Sequence, residues 1–286
     1  MTAMSVQVVA VLGKGVVGTQ DPVITADDLG LTRGDGIFDA TRVVTDASGH
    51  SIVEHLDRHL RRLARSARTV ELPAPDVEAI ASLVEEALAV WTTPGEAALK
   101  IVHTRGVEHG DTPRATTLLT ITQTTPGLRR PLAVAALARG YASDTFADAP
   151  WLLGGAKLLS YAVNTSAKRE ATRRGADDAL FVSSDGYALE APTSSLLWVS
   201  DGVLRTTPTG ATGILGSVTV EILEEWAAAE GVRFEHALIR PSELHGTAGA
   251  WLASSVRGVC PIATLDGVPL PTSDVWTDRL ASAAGF

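Results

Sequence analysis

The stretch Gly154-Gly155-Ala156-Lys157-Leu158-Leu159-Ser160-Tyr161-Ala162-Val163-Asn164 decides how the rest of the chain is read. Lysine is scarce here: Lys14, Lys100, Lys157 and Lys168 are the only ones among 24 basic side chains. Lys157 follows two glycines, sits among apolar residues, and has a tyrosine four positions on. An amine in such surroundings loses ammonium solvation, which favours the free base and makes it a usable nucleophile. A lysine snorkelling from the start of a helix would carry the same local sequence. Residues elsewhere must decide between the two.

Composition bounds the answer. A chain of 286 residues can bury a large core, and two domains are expected rather than one. Hydrophobic residues make up 45% and charged residues 20%, as in ordinary globular proteins. A net charge of −9 argues against nucleic acid or an anionic membrane surface as the main partner. No apolar run approaches the ~18 residues of a membrane helix, and no signal-peptide pattern is visible, so a cytoplasmic location is expected. Cys260 is the single cysteine, which excludes an internal disulfide and a multi-cysteine metal site.

The first half alternates short strands and helices. Residues 5–12 read as a strand, and Gly13-Lys14-Gly15-Val16-Val17-Gly18 as a glycine-rich hairpin turn. The latter matches the letters of a dinucleotide fingerprint, but no helix follows to receive a pyrophosphate. A polar loop over 27–36 leads into a strand over 37–44, a turn, and a return strand over 51–53. Leu56, Leu60, Leu63, Ala64 and Ala67 recur at helical spacing, with Arg58, Arg61, Arg62, Arg65 and Arg68 on the remaining faces. Periodicity cannot choose among those arginines. His55 and His59 lie four apart, but no third ligand is placed to complete a metal site, and none is expected. A second helix from Pro75-Asp76 to about Trp91 precedes strands over 99–104 and 116–122, with a polar loop from Arg105 to Asp111 between them. The proline- and glycine-bearing stretch 124–131 reads as an interdomain linker.

The second half opens with a strand over 132–138 and reaches Lys157 through an irregular segment. A helix over 161–174 ends at Gly175. Hairpins are expected over 179–190 and 196–206. Glu190 closes a strand, where it either faces inward or is solvated. Thr212-Gly213-Ile214-Leu215-Gly216-Ser217 runs into an amphipathic helix, an arrangement that suits a phosphate but also describes a plain loop-to-helix junction. A strand over 250–253 ends at Ser254-Ser255, and Val259-Cys260-Pro261-Ile262 is expected to begin a last small unit.

A lysine nucleophile, a phenol, a carboxylate and a phosphate-ready loop are together what pyridoxal 5'-phosphate requires. At this point the chain resembles the class IV (fold-type IV) pyridoxal-phosphate family of branched-chain and D-amino-acid aminotransferases and 4-amino-4-deoxychorismate lyases. The resemblance runs from about Thr25 to Gly267. It rests on Arg33-Gly34-Asp35-Gly36-Ile37-Phe38, His59-Leu60-Arg61-Arg62-Leu63, Lys157-Leu158-Leu159-Ser160-Tyr161, Glu190 with the Ser195-Leu196-Leu197 strand, and Gly213-Ile214-Leu215. It implies an α+β fold of two domains like that of D-amino-acid aminotransferase. The small amino-terminal α/β domain would span 1–123, and the larger, β-rich, cofactor-binding domain 132–286. It further implies that Lys157 forms the Schiff base, Glu190 pairs with the pyridine nitrogen, and Tyr161 bonds the ring oxygen. Arg62, the N–H groups of Ile214 and Leu215 beside Gly213, and Ser255 would hold the phosphate. A homodimer acting on a small-molecule substrate is implied as well.

Three features depart from the family pattern. Ser195 replaces a frequent asparagine, and Leu215 and Gly216 stand where threonine and arginine are usual, which removes a side-chain phosphate contact. Ala253-Ser254-Ser255 replaces the Gly-Thr-Ala-like strand end of branched-chain enzymes. Within the family, Phe38-Asp39-Ala40-Thr41-Arg42 followed by Thr104-Arg105-Gly106 looks more like the lyases and D-amino-acid enzymes than the branched-chain group. The D-amino-acid enzymes usually place an Arg-x-His pair soon after, and Arg114-Ala115-Thr116 lacks the histidine. The resemblance therefore favours a lyase of folate biosynthesis giving 4-aminobenzoate and pyruvate. The alternative is an aminotransferase for D-amino or branched-chain amino acids with 2-oxoglutarate. A vitamin-B6 carrier without turnover is the non-enzymatic reading, and an intact Lys157 and Glu190 speak against it. Arg105 is the candidate for gripping a substrate carboxylate, because its planar fork suits that anion.

The carboxylate gives the first test. If Glu190 keeps the pyridine nitrogen protonated, Glu190→Gln should cut turnover far more than cofactor affinity, by ~2–4 kcal/mol of transition-state stabilisation. Unchanged kcat in steady-state assays would mean a solvated strand end.

Overall fold

The computed structural model describes residues 7–107, 115–125 and 129–286. The start of the first expected strand, the 108–114 part of the polar loop with Arg114, and the 126–128 part of the expected linker lie outside the described residues. The chain divides into two units, Met1–Pro126 with Ala156–Ser160, and Gly127–Gly155 with Tyr161–Phe286.

The first unit is built on a six-stranded antiparallel sheet. Its strands are β1 (Gln7–Val11), β2 (Gly15–Val17), β3 (Gly36–Thr45), β4 (Ser51–Val53), β5 (Gly95–Thr104) and β6 (Thr116–Gln123). They lie in the order β2-β1-β6-β5-β3-β4. The glycine-rich stretch at 13–18 is the β1–β2 hairpin, with Gly13 and Gly15 at positive φ. The polar loop over 27–36 contains one helical turn, α1 (Leu29–Thr32), capped by the Asp28 carboxylate on Gly30 N–H. Asp28 is buried and also accepts from the hydroxyls of Thr104 (2.9 Å) and Thr116 (2.8 Å), which ties the loop to β5 and β6.

Helices α2 (Leu56–Thr69) and α3 (Val77–Val90) complete this unit. Both obey the helical spacing of their apolar residues: α2 buries Leu60, Leu63 and Ala67, and α3 buries Ile80, Leu83, Val84 and Ala87. Asp76 caps α3 by accepting from Ala79 N–H.

The second unit holds a nine-stranded mixed sheet. Its main path is β12 (Phe234–His236), β11 (Val203–Thr206), β10 (Ser194–Ser200), β13 (Gly249–Ser254), β14 (Gly258–Leu265), β7 (Leu132–Ala138) and β8 (Asp178–Val182). The short strands β9 (Glu190–Ala191) and β15 (Val268–Pro269) pair with β10 and β14. Both faces of the sheet are covered, which explains near-continuous apolar strands. On β10, Leu196 and Trp198 face one core cluster while Leu197 and Val199 face the other; on β13, Ala250 and Leu252 oppose Trp251 and Ala253 in the same way. Helices α5 (Val218–Ala229) and α6 (Asp274–Ala283) border the second cluster. Helix α4 (Ala162–Arg173) packs Ala167 and Ala171 into a third, with Phe181 and Ile214.

Two expectations need correction and one needs shortening. Val259–Ile262 does not start a small terminal unit: it lies in β14, paired on one side with β13 and on the other with β7. The hairpin expected over 179–190 is present but short, closed by Ser183 N–H on Tyr187 O (2.8 Å) and Leu189 N–H on Phe181 O (2.8 Å). One bridge joins Val182 to Ala188, after which Glu190 turns to pair with Ser195 of β10. Finally, Lys157 groups with the first unit rather than with the residues 132–286 around it in sequence.

Leu252 is fully buried, opposite Leu196 on one side and Cys260 on the other. Leu252→Ala should cost about 2–5 kcal/mol in urea denaturation followed by circular dichroism. Val275, 70% exposed on α6, should tolerate alanine within about 0.5 kcal/mol. Equal losses at the two positions would contradict this assignment of the core.

Candidate active site

The Lys157 segment is attached to the first unit by its backbone. Phe38 N–H donates to Lys157 O (2.9 Å), and Leu159 N–H donates to Gly36 O (2.9 Å), so the segment forms an antiparallel bridge on the edge of β3. Lys157 N–H in turn donates to Ser66 Oγ on α2 (3.1 Å). This approach explains two glycines of the Arg33-Gly34-Asp35-Gly36 motif. A Cβ on Gly34, already at φ +69°, would lie 2.5 Å from Ser160 Oγ. One on Gly36 would lie 2.7 Å from Leu159 Cδ1 and 2.9 Å from His103 O. With the backbone held this way, the half-buried Lys157 side chain brings Nζ to 4.6 Å from the centroid of the Phe38 ring.

Burial distinguishes the five arginines that periodicity left open. Arg61, Arg65 and Arg68 are exposed, Arg58 is half-buried, and Arg62 is buried. Arg62 grips Asp39 of β3 with two parallel bonds, Nε to Oδ2 at 2.8 Å and Nη2 to Oδ1 at 2.7 Å. His59 Nδ1 lies 2.7 Å from the same Oδ1 and donates its proton to it. Burial alone would raise the Asp39 pKa. The Arg62 charge, with hydrogen bonds from Arg62 and His59, outweighs that and holds the carboxyl well below the usual range. Burial lowers the His59 pKa, more than the neighbouring carboxylate raises it, so the ring is neutral near pH 7. Asp39 was not singled out from the sequence, although its partner lies 23 residues away on an apolar helix face. Among the described residues no group of three or more His, Cys, Asp or Glu side chains is placed to hold a metal ion.

The second unit carries the other expected residues. Glu190 is half-buried on β9, and Leu215 N–H donates to its Oε2 (3.3 Å). Tyr161 Oη donates to Pro192 O (2.6 Å), beside Asn164 Nδ2 on the same oxygen (2.8 Å). Gly213 has φ +70°, and its carbonyl accepts from Gly155 N–H (3.1 Å). Ile214 N–H makes a long bond to Thr212 Oγ1 (3.4 Å). The helix proper begins after this stretch: Ser217 caps α5 by accepting from Val220 N–H, so Ile214 and Leu215 lie on the loop before it. In the first turn of α5, Thr219 places its hydroxyl 3.2 Å from Ser255 Oγ. Thr219 was missed in sequence, where it looks like one more residue of an amphipathic helix.

Arg105 is heavily engaged. Its Nε donates to Asp35 Oδ2 (2.6 Å), Nη1 to Glu71 O (2.9 Å), and Nη2 to Val70 O (3.0 Å) and Asp35 Oδ1 (3.3 Å). A guanidinium has five N–H donors, so little is left for a substrate unless the Asp35 pair opens. Arg42 is buried and is also paired, with Glu96 at 3.1 Å and Glu54 at 3.8 Å.

Each unit, taken by itself, carries donors of kinds that a phosphorylated pyridine aldehyde binds. The first unit supplies an amine and a buried guanidinium. The second supplies a carboxylate, a phenol, two hydroxyls and backbone N–H groups on a glycine-flanked loop, where a Cβ on Gly216 would meet nothing within 4 Å.

Comparison with known proteins bears on this set. The amino-transferase class IV family model matches residues 36–265. The bifunctional aminodeoxychorismate lyase / D-amino acid transaminase of Mycobacterium tuberculosis is 37% identical over 264 residues, 89% of this chain and 90% of that protein. The fold IV-transaminase CpuTA1 from Curtobacterium pusillum superposes with a TM-score of 0.88 at 36% identity, covering 97% of both chains. The PLP-bound form of a hypothetical aminotransferase from Mycobacterium tuberculosis gives a TM-score of 0.89 at 34% identity, covering 97% of this chain and 98% of that one.

The Asp39 cluster yields a stability test. Asp39→Asn leaves Arg62 buried without its counter-charge, which should cost about 3–5 kcal/mol near neutral pH. Because the folded carboxyl titrates below its unfolded value of about 3.9, its contribution is complete above that value and is lost as pH falls through the folded one. Urea midpoints of wild type and variant should therefore differ by a constant amount from pH 8 to 5 and converge only in strong acid. Convergence between pH 8 and 6 would instead point to a titrating His59.

Proposed function

The chain belongs to the class IV aminotransferase family, and from that premise we propose that it is a 4-amino-4-deoxychorismate lyase releasing 4-aminobenzoate and pyruvate. Membership brings with it the two-domain α+β fold of fold-type IV enzymes and dependence on pyridoxal phosphate. The observation that carries the lyase reading is the 37% identity, over nine-tenths of each chain, to a protein named as both a lyase and a D-amino acid transaminase.

When bound, pyridoxal phosphate supplies a ring that accepts electrons from the substrate. In our reading Lys157 would hold the cofactor and, as a free amine in the presence of substrate, would take the proton from the ring carbon that bears the substrate nitrogen. Glu190 keeps the pyridine nitrogen protonated, and Tyr161 bonds the ring oxygen. Arg62, held in place by Asp39, binds the phosphate with Ser255 and the N–H groups of Ile214 and Leu215 beside Gly213. The enolpyruvyl group leaves with its bonding electrons and gains a proton to become pyruvate, while the six-membered ring becomes aromatic. All atoms of the substrate reappear in the two products, so no second substrate is consumed.

The D-amino acid transaminase reading is favoured by the other half of the same relative's name. There Lys157 would move a proton from the α-carbon to the cofactor, and a keto acid would be needed to complete the cycle. The working form we propose is a cytoplasmic homodimer, its single cysteine, Cys260, buried and outside any disulfide. Among the described residues no helix is long and apolar enough to cross a membrane.

The test uses 4-amino-4-deoxychorismate alone. The protein should form 4-aminobenzoate and pyruvate over many turnovers without any keto acid. If that compound is left untouched while D-alanine and 2-oxoglutarate are interconverted with pyruvate and glutamate, the transaminase reading replaces the lyase.

A further inference from the structure

Lys100 has no role in the reaction as described so far. It lies on β5 opposite Ala40 of β3, and its Nζ stands 4.7 Å from the centroid of the Phe38 ring. Lys157 Nζ stands 4.6 Å from that same centroid. The two amines can therefore be no farther apart than those two distances laid end to end. Three arginines of this unit, Arg42, Arg62 and Arg105, are each paired with its carboxylates. Among the described residues no carboxylate pairs with Lys100. Solvent reaches its side chain, yet the protein around it desolvates the amine enough to lower its pKa from the ordinary lysine value.

An aromatic face attracts a cation but cannot neutralise it; a carboxylate can. We infer that Lys100 receives a carboxylate of the substrate beside the Phe38 ring while Lys157 works at the substrate's amine. This rests on the proposed function only in requiring a substrate with both groups, which the lyase and transaminase substrates share. In 4-amino-4-deoxychorismate they stand at opposite corners of a six-membered ring, and 4-aminobenzoate keeps that spacing. A lysine suits the task as a compact charge on a flexible stem, in place of an Arg105 fork already bound to Asp35.

The test compares cofactor-loaded wild type, Lys100→Met and Lys100→Arg. Dissociation constants for 4-aminobenzoate and for aniline, which lacks the carboxylate, are read from the cofactor's absorbance. KM and kcat are measured for 4-amino-4-deoxychorismate. Lys100→Met should weaken 4-aminobenzoate binding about tenfold to a hundredfold, the worth of a hydrogen bond to a charged group, and leave aniline unchanged. KM should rise by a similar factor with a smaller effect on kcat, and Lys100→Arg should restore most of both. The inference is overturned if Lys100→Met binds 4-aminobenzoate like wild type, if it loses both ligands equally, or if wild type itself prefers aniline or shows no preference. The binding arm needs no turnover. A wild type that binds 4-aminobenzoate through Lys100 but makes no pyruvate would defeat the lyase reading and leave this one standing.

Discussion

The account depends on one constraint, the attachment of a five-residue segment to the edge of β3. Two backbone bonds, between Phe38 and Lys157 and between Leu159 and Gly36, make that segment part of the first unit's sheet, and Ser66 holds the Lys157 N–H from α2. A long, flexible side chain is a poor nucleophile unless its root is fixed, since the entropy of locating it must otherwise be paid during reaction. Here the root is part of a β-bridge and only the side-chain torsions remain. The same constraint dictates sequence elsewhere: Gly34 and Gly36 are glycines because side chains there would collide with Ser160 and Leu159.

Strand β3 has a second task through the residue next to Phe38. Asp39 points into the cluster where Arg62 and His59 close on it, so one strand positions an aromatic beside the lysine and a counter-ion beneath the arginine. Charge in this unit is largely self-matched. Arg42 faces Glu54 and Glu96, Arg105 faces Asp35, and Arg62 faces Asp39. The buried Arg62–Asp39 pair contributes little net stability over apolar replacements, but removing one partner is costly, because the other charge stays buried. Such pairs fix where guanidinium groups stand. Arg42 therefore reads differently in three dimensions than in sequence. The Phe-x-x-x-Arg spacing separates subgroups of the family, but the arginine itself supports β4 and β5.

What was legible in the sequence was local. Strand and helix periods placed most elements, and the lysine, glutamate and glycine motifs stood out because each carries its own chemistry in a few neighbouring residues. What was not legible depends on contacts between distant residues. Asp39 is an ordinary acidic residue until a helix 23 positions later supplies its partners. Nothing in Val259–Ile262 distinguishes a central strand from a peripheral one, because its neighbours β13 and β7 are fixed by topology. The excursion of residues 156–160 into the first unit is five residues long, too short to shift composition. Helix α5 starts three residues after Leu215 because Ser217 caps it, and a proposed phosphate loop and a helix start are thus separate features.

Two lysines beside one phenylalanine also sharpen the central claim, that the fixed amine of Lys157 is the one that carries the cofactor. Both Lys157 and Lys100 reach the Phe38 ring, so proximity alone does not distinguish them. Both backbones are fixed as well, Lys157 by the β3 bridge and Ser66, Lys100 by the pairing of β5 with β3 and β6, so the assignment to Lys157 rests on the motif around it. The decisive measurement is reduction of the cofactor-loaded protein with borohydride, followed by proteolysis and mass mapping of the modified peptide. The account predicts the cofactor's mass on the peptide containing Lys157, with Lys100 unmodified. Label on Lys100, or spread evenly over both lysines, would contradict it.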